Sequence, residues 1–557
     1  LTVLSGLTQV YKWIVTAGTL KLTSGKTYKM KNAEDSTVAT GAFFDVSGAI
    51  LRSIVDGSVW NLNRNSGATV TTSAATDVKD SNASSGLLIG AIGATNSGNN
   101  TYWRFGALTL YWVPSGGSGT GNWSDDDAHW ALTTGGTAKD GNIPIDGDSV
   151  VFDASSGTGT CTVDVNTAKL AGVSSVASNI TITQSGSKTL YSQGTADFRS
   201  MTVASAFWFT AYGGATVVKF TDSTTIASLV CSADCEVQCN PLIVGTTFTV
   251  GSGKTLTVGV GYVIRSGVAF TNDGTIGGDG TLVLALSTAD INESSPGTLN
   301  INMRVELLSG ATGSRKFTVG AVTVLNGNLA IKNSHAANGL TFELSYNLTT
   351  GAVTDDASAG GAITISVITS SKTWKIVGNM NLAESTINTD YLDITMEGTA
   401  VTNTLTLQDT SKIGTLTANN AIAGTNQVVS GLYMNKFVVT LGELKFTAGK
   451  TYKCKQAESS TVAAWQTLTL VGTLGNLITL HSQSDGNAWL LNADANATVT
   501  VQYVDAQDSD ASSGNAIDAT DGTSVNSGNN INWNFPTSGG GAGATGSCCP
   551  LLVVGII

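Results

Sequence analysis

The stretch GTLKLTSGKTYKMKNAEDSTVA, Gly18 to Ala39, returns as GELKFTAGKTYKCKQAESSTVA, Gly442 to Ala463, with sixteen of twenty-two positions identical. Downstream, DSNASSG (Asp80–Gly86) returns as DSDASSG (Asp508–Gly514), and NSGNNTYWRF (Asn96–Phe105) as NSGNNINWNF (Asn526–Phe535). The order of the three markers is the same in both places, so a module of about a hundred residues occurs twice. Strand-like turns such as TNTLTLQDTSKIGTLTANN precede the second copy, whereas only a few residues precede the first. That asymmetry, with the absence of an initial Met or a visible leader, suggests that Leu1 is either a processed start or a point inside a longer polypeptide.

A shorter echo runs between the copies. SGKTYKM (Ser24–Met30), GSKTLYS (Gly186–Ser192), GSGKTLTV (Gly251–Val258), GSRKFTV (Gly313–Val319), SSKTWKI (Ser370–Ile376) and AGKTYKC (Ala448–Cys454) each combine a small-residue corner, a basic residue and a strand. A phosphate loop would need glycine five residues before the Gly of Gly-Lys. Leu20, Phe248 and Leu444 stand there instead, and no helix follows. The corners therefore read as polar turns in which Gly takes a positive φ. Between corners apolar and polar residues alternate. Leu299, Ile301, Met303, Val305 and Leu307 fall on one face, and so do Leu340, Phe342, Leu344, Tyr346 and Leu348. Period-two alternation over short strands predicts stacked β-structure, in which one turn cannot bury its apolar face alone. Abundant Thr, Val, Gly and Asn, 65 Gly against 6 Pro, and 41 % hydrophobic residues agree with this pattern. The expected fold is all-β: an elongated parallel β-helix (β-solenoid) of roughly 20–25 residues per turn with duplicated end modules.

The expected division is a first module at 1–106, a Trp/Gly-rich connecting or capping segment at 107–157 and a central solenoid at 158–427. The second module at 428–536 precedes a Gly-rich linker and short apolar strand at 537–557. The end modules resemble the parallel β-helix repeats of bacteriophage tail or spike proteins and bacterial surface adhesins. Thr498 to Ile517, TVTVQYVDAQDSDASSGNAI, followed by NSGNNINWNF, carries the resemblance with its counterpart in the first copy. It covers both end modules well and 158–427 more loosely. It implies an extracellular or virion setting and a structural or attachment role, with a polysaccharide-degrading spike or a surface adhesin as alternatives.

A net charge of −12 with only 28 Lys and Arg argues against nucleic acid and against anionic membrane surfaces. No apolar run approaches the length of a membrane span. Catalysis has little to stand on. Asp355-Asp356, Asp390 with Asp393, and Asp125 to Asp127 lack basic and aromatic surroundings, while His129, His335 and His481 lie far apart in sequence. No enzyme is expected, and no cofactor other than calcium.

Weak calcium candidates are Asp508, Asp510 and Ser512, with Asp125 and Asp127 in the Trp-rich segment. From Asp508, however, position six is Ser513 and position twelve Ala519, where a calcium loop wants Gly and Glu. The heptapeptide reads better as Asx turns that mark the end of a module. Trp112, Trp123 and Trp130 either stack on sugar, making a cell-surface glycan a partner, or cap an open solenoid end. Cys231, Cys235 and Cys239 share a face if their stretch is one strand and read as buried thiols, while the vicinal Cys548 and Cys549 suit links between chains. Leu551, Leu552, Val553, Val554, Ile556 and Ile557 form a β-prone end expected to dock on a neighbouring subunit, giving a homo-oligomer or filament. Asn-x-Ser/Thr triplets such as Asn82-Ala83-Ser84 are expected by chance in so Asn- and Thr-rich a chain.

Overall fold

The computed structural model describes residues 1–536 except 66, 139–141, 269, 295–296, 322, 369 and 421, and leaves undescribed the side chains of 7, 8, 126 and 127. It divides into two compact units. The first comprises Leu1–Ala285 with Ser295–Asn302, and the second Leu286–Ser294 with the chain from Met303 onward. Each is a parallel β-solenoid made almost entirely of short strands. No helix among the described residues is long and apolar enough to cross a membrane.

Register shows how the turns are laid down. In the first unit Thr158–Val163 pairs in parallel with Asn179–Gln184, whose Thr181 and Ile182 then pair with Thr202 and Val203. In the second, one inward column runs Ile291, Phe317, Phe342, Ile365, Ile387 over successive paired strands, and all five are buried. Phe317 stacks on Phe342 at 5.3 Å, and Phe342 on Trp374 at 5.5 Å. A turn presents a single apolar row, so these ladders exist only because neighbouring turns supply the other side of the core. Inward burial of Leu299, Ile301, Met303, Val305 and Leu307 follows the alternation.

The Gly-Lys corners behave as the pattern predicts. Gly25, Gly253 and Gly449 take φ of 74°, 67° and 73°. The following tyrosines, Tyr28 and Tyr452, turn inward and are fully buried. Each hydroxyl accepts from the corner threonine's backbone N–H (Thr23 or Thr447, 2.9 Å in both) and donates to the preceding turn, to Val3 O at 3.1 Å or Val428 O at 3.2 Å. Burial pushes the Tyr452 phenol well above its usual range. The two copies thus repeat side-chain wiring as well as sequence.

Alternation fails at one instructive place. The strand Leu340–Leu344 ends before Tyr346, which is 47 % exposed rather than in line with Phe342 and Leu344. Ser345, Tyr346 and Asn347 form the corner, and the inward pattern resumes at Leu348.

Candidate functional site

The DSxASSG heptapeptide is a hydrogen-bonded clip in both copies. Asp80 and Asp508 are buried at φ of 59° and 56°. The Asp80 carboxylate accepts from Gly57 N (3.1 Å) and Asn99 Nδ2 (2.9 Å). Asp508 accepts from Gly486 N (2.9 Å) and Asn529 Nδ2 (2.8 Å). Asn82 and Asp510 close Asx turns by accepting from Ser84 N and Ser512 N. The NSGNN turn completes the clip, because Asn100 and Asn530 accept from Ser81 N and Ser509 N. Trp103 Nε1 donates to Ser81 Oγ at 2.9 Å and Trp533 Nε1 to Ser509 Oγ at 3.0 Å, with Phe105 and Phe535 stacked alongside. Both carboxylate oxygens of Asp80 and Asp508 are thus engaged by N–H groups of neighbouring turns, and one oxygen each of Asn82 and Asp510 by its own turn. Asp508→Ala is expected to cost about 2–3 kcal/mol, since it removes two hydrogen bonds to a buried carboxylate and puts alanine at positive φ. Hydrogen exchange in Ile517–Phe535 should report this as faster opening of the last turn. Chelator should leave the melting curve of the wild-type protein unchanged, whereas a metal loop would melt earlier.

Trp112, Trp123 and Trp130 are interior, with their ring faces covered. Trp130 packs edge-on against Trp112 at 5.1 Å and Trp123 at 4.8 Å, and Phe152 touches all three. His129 stacks on Trp112 at 4.3 Å, and its Nδ1–H donates to Val113 O at 2.8 Å. Its Nε2 lies where a Cβ on residue 121 would sit, so Gly121 is needed for that approach. The segment forms the first paired layer of its sheet in the first unit. Thr109–Tyr111 pairs in parallel with Ser149–Val151, and Ser149–Asp153 with Gly172–Val176, while Trp112 meets Trp130 in an antiparallel pair. Asp148 anchors this layer. Fully buried, it pairs with Arg104 and accepts from Leu108 N (2.8 Å) and Ile145 N (2.7 Å).

The remaining candidates are spread apart. Asp125 accepts from Asn122 N at 2.8 Å ahead of the short helix Asp126–His129, and the side chain of Asp127 lies outside the described residues. Cys231 ends one strand and Cys235 begins the next, so the cysteine run turns a corner instead of forming one strand. Both are buried, as is Cys239, whose thiol burial pushes up to about 11. Among the described residues no group of three or more His, Cys, Asp or Glu is placed to hold a metal ion. Asp355 accepts from Ser385 Oγ and Glu384 N, Asp356 pairs with Lys332, and Asp390 pairs with Lys412. Cys548, Cys549 and the apolar end Leu551, Leu552, Val553, Val554, Ile556 and Ile557 lie outside the described residues.

The second unit carries an open groove of about 480 Å³ that the alternation does not announce. Its floor is the outward column Asn292, Thr318, Glu343 on three adjacent strands, Ile291–Glu293, Arg315–Val319 and Leu340–Leu344. Lys316 Nζ lies 2.9 Å from Glu343 Oε1, which also accepts from Thr318 Oγ1 at 3.2 Å. Asp290 Oδ1 accepts from Lys316 N. The wall is the corner where Gly320, Ser345 and Ile368 stack, with Tyr346 beside them. A Cβ on residue 320 would stand 2.1 Å from Asn292 Oδ1, so glycine there lets the Asn292 amide lie against the corner. No family model, curated protein or solved structure matches the chain.

Proposed function

We propose that this chain is a non-enzymatic structural or attachment component of a phage tail or an extracellular appendage, and that it works as a homo-oligomer or filament. The observation that supports the reading is where its acidic side chains are spent. Asp80, Asp508 and Asp148 are consumed by backbone N–H groups or a buried ion pair, and Glu343, Asp356 and Asp390 by lysines on adjacent turns. Such wiring favours a durable stack, and a catalytic carboxylate needs one free of it. The apolar end Leu551 to Ile557 follows a Gly-rich linker and is suited to pairing with a neighbouring subunit. Electron microscopy and light scattering of the purified full chain are expected to show multi-chain particles, and a variant lacking residues 548–557 should give fewer. Monomers in both, with turnover of a capsular or cell-wall glycan, would overturn the reading in favour of a sugar-cleaving spike.

A further inference from the structure

We infer that the groove around Tyr346 binds a neutral oligosaccharide, which deepens the attachment reading above and rests on it. Outward polar side chains such as Glu443 and Asp409 are tied between turns of the second unit. Here several are not. The Asn292 amide and the hydroxyls of Ser345 and Tyr346 form no hydrogen bond among the described residues, and all three line the same hollow. Asp290 has used only one carboxylate oxygen. Amide, hydroxyl and carboxylate together offer both donors and acceptors, as a ligand dense in hydroxyl groups requires. Beside them stand the two exposed apolar surfaces of the site, Tyr346 and Ile368, each 47 % exposed. An aromatic ring with a polar tip suits the C–H face of a pyranose, which is apolar across the ring and polar at its rim.

Charge narrows the class. Lys316 and Glu343 neutralise each other at 2.9 Å, which leaves Asp290 as the uncompensated charge of the groove. An acidic sugar would meet that carboxylate, so the site selects uncharged rings. The volume of about 480 Å³ falls within the range of small-ligand sites. Formation of the hollow depends on the corner ending the strand at Leu344, which turns Tyr346 outward, and on Gly320, which gives the Asn292 amide its place.

The test uses the full chain and a panel of immobilised di- to tetrasaccharides: neutral hexose and N-acetylhexosamine types, with uronate- and sialic-acid-containing ones for comparison. Wild-type protein is expected to bind at least one neutral oligosaccharide in preference to its acidic counterparts. Tyr346→Ala should weaken that binding about tenfold, and Asn292→Ala several-fold. Trp465→Ala, at an exposed ring outside the groove, should leave it unchanged. All three positions are solvent-facing, so matching melting curves separate lost binding from lost folding. Three results would overturn the inference: no neutral oligosaccharide retained at millimolar concentration, acidic sugars bound better, or Tyr346→Ala behaving like Trp465→Ala. The last of these, with sugar still bound, would remove the groove while leaving the attachment reading intact. Monomers without assembly would remove the attachment reading itself.

Discussion

Asp148→Ala is expected to destabilise the first unit by about 3–5 kcal/mol, the cost of leaving a buried charge without its partner. Arg104 would keep its guanidinium in a site where 8 % of the side chain meets water, with Ile143 O at 3.2 Å as its remaining acceptor. The N–H groups of Leu108 and Ile145 would lose their acceptor at the same time. The pair is no simple source of stability. Burial pushes the Asp148 carboxyl up and the Arg104 guanidinium down, so for each the loss of water outweighs the attraction to the other. Replacing both, as Arg104→Met with Asp148→Leu, should therefore recover part of the loss but not all, because two backbone donors stay unpaired. Hydrogen exchange at Thr109–Trp112 and Ser149–Asp153, flanking the anchor, measures both effects. A single variant no worse than the double would show that the ion pair contributes nothing beyond shape.

Trp130→Ala should cost a similar amount, about 3–5 kcal/mol, through the cavity left by a ring that contacts Trp112, Trp123 and Phe152. Trp130 Nε1 also donates to Trp123 O at 2.8 Å, so Trp130→Phe should fall between, with most of the volume kept and that carbonyl unpaired. Denaturant unfolding monitored by near-ultraviolet circular dichroism follows the cluster directly. Titrating the Tyr346→Ala variant with the sugar panel should leave this signal unchanged, since the rings of the cluster are interior. A sugar-dependent change at the cluster, or a Trp130→Ala variant of wild-type stability, would show instead that these rings face solvent.

Sequence pattern reached the architecture because a β-solenoid writes its core as a period of two and its corners as Gly and Asn. The inward columns, the left-handed Gly-Lys corners and the repeated clip at Asp80 and Asp508 could all be read from spacing, because both partners belong to recurring motifs. Pattern fails where a contact joins residues without a common motif. Asp148 and Arg104 are brought together by the layer between them, and neither carries a local mark of the pairing. The cysteine run looked like one strand because spacing of four cannot reveal a corner at Ser232–Asp234. Tyr346 extends an alternation that Leu340, Phe342 and Leu344 had set, and only the polar Ser345 and Asn347 around it hint that the strand has ended. The groove follows from that break, so a rule built on regularity passes over it.

The parallel register has a consequence for how the molecule comes into being. Within each unit a strand pairs with those one turn before and after it, as Leu392–Met396 does with Lys372–Ile376 upstream and Leu416–Ala418 downstream. Along such a run a new turn therefore finds its template already laid down on its N-terminal side. At roughly 5–20 residues per second a ribosome needs about 1–4 s to deliver a turn of about 20 residues, far longer than strands need to pair. Such a chain can grow as it emerges, and the nascent protein need offer only its newest edge to other chains at any moment.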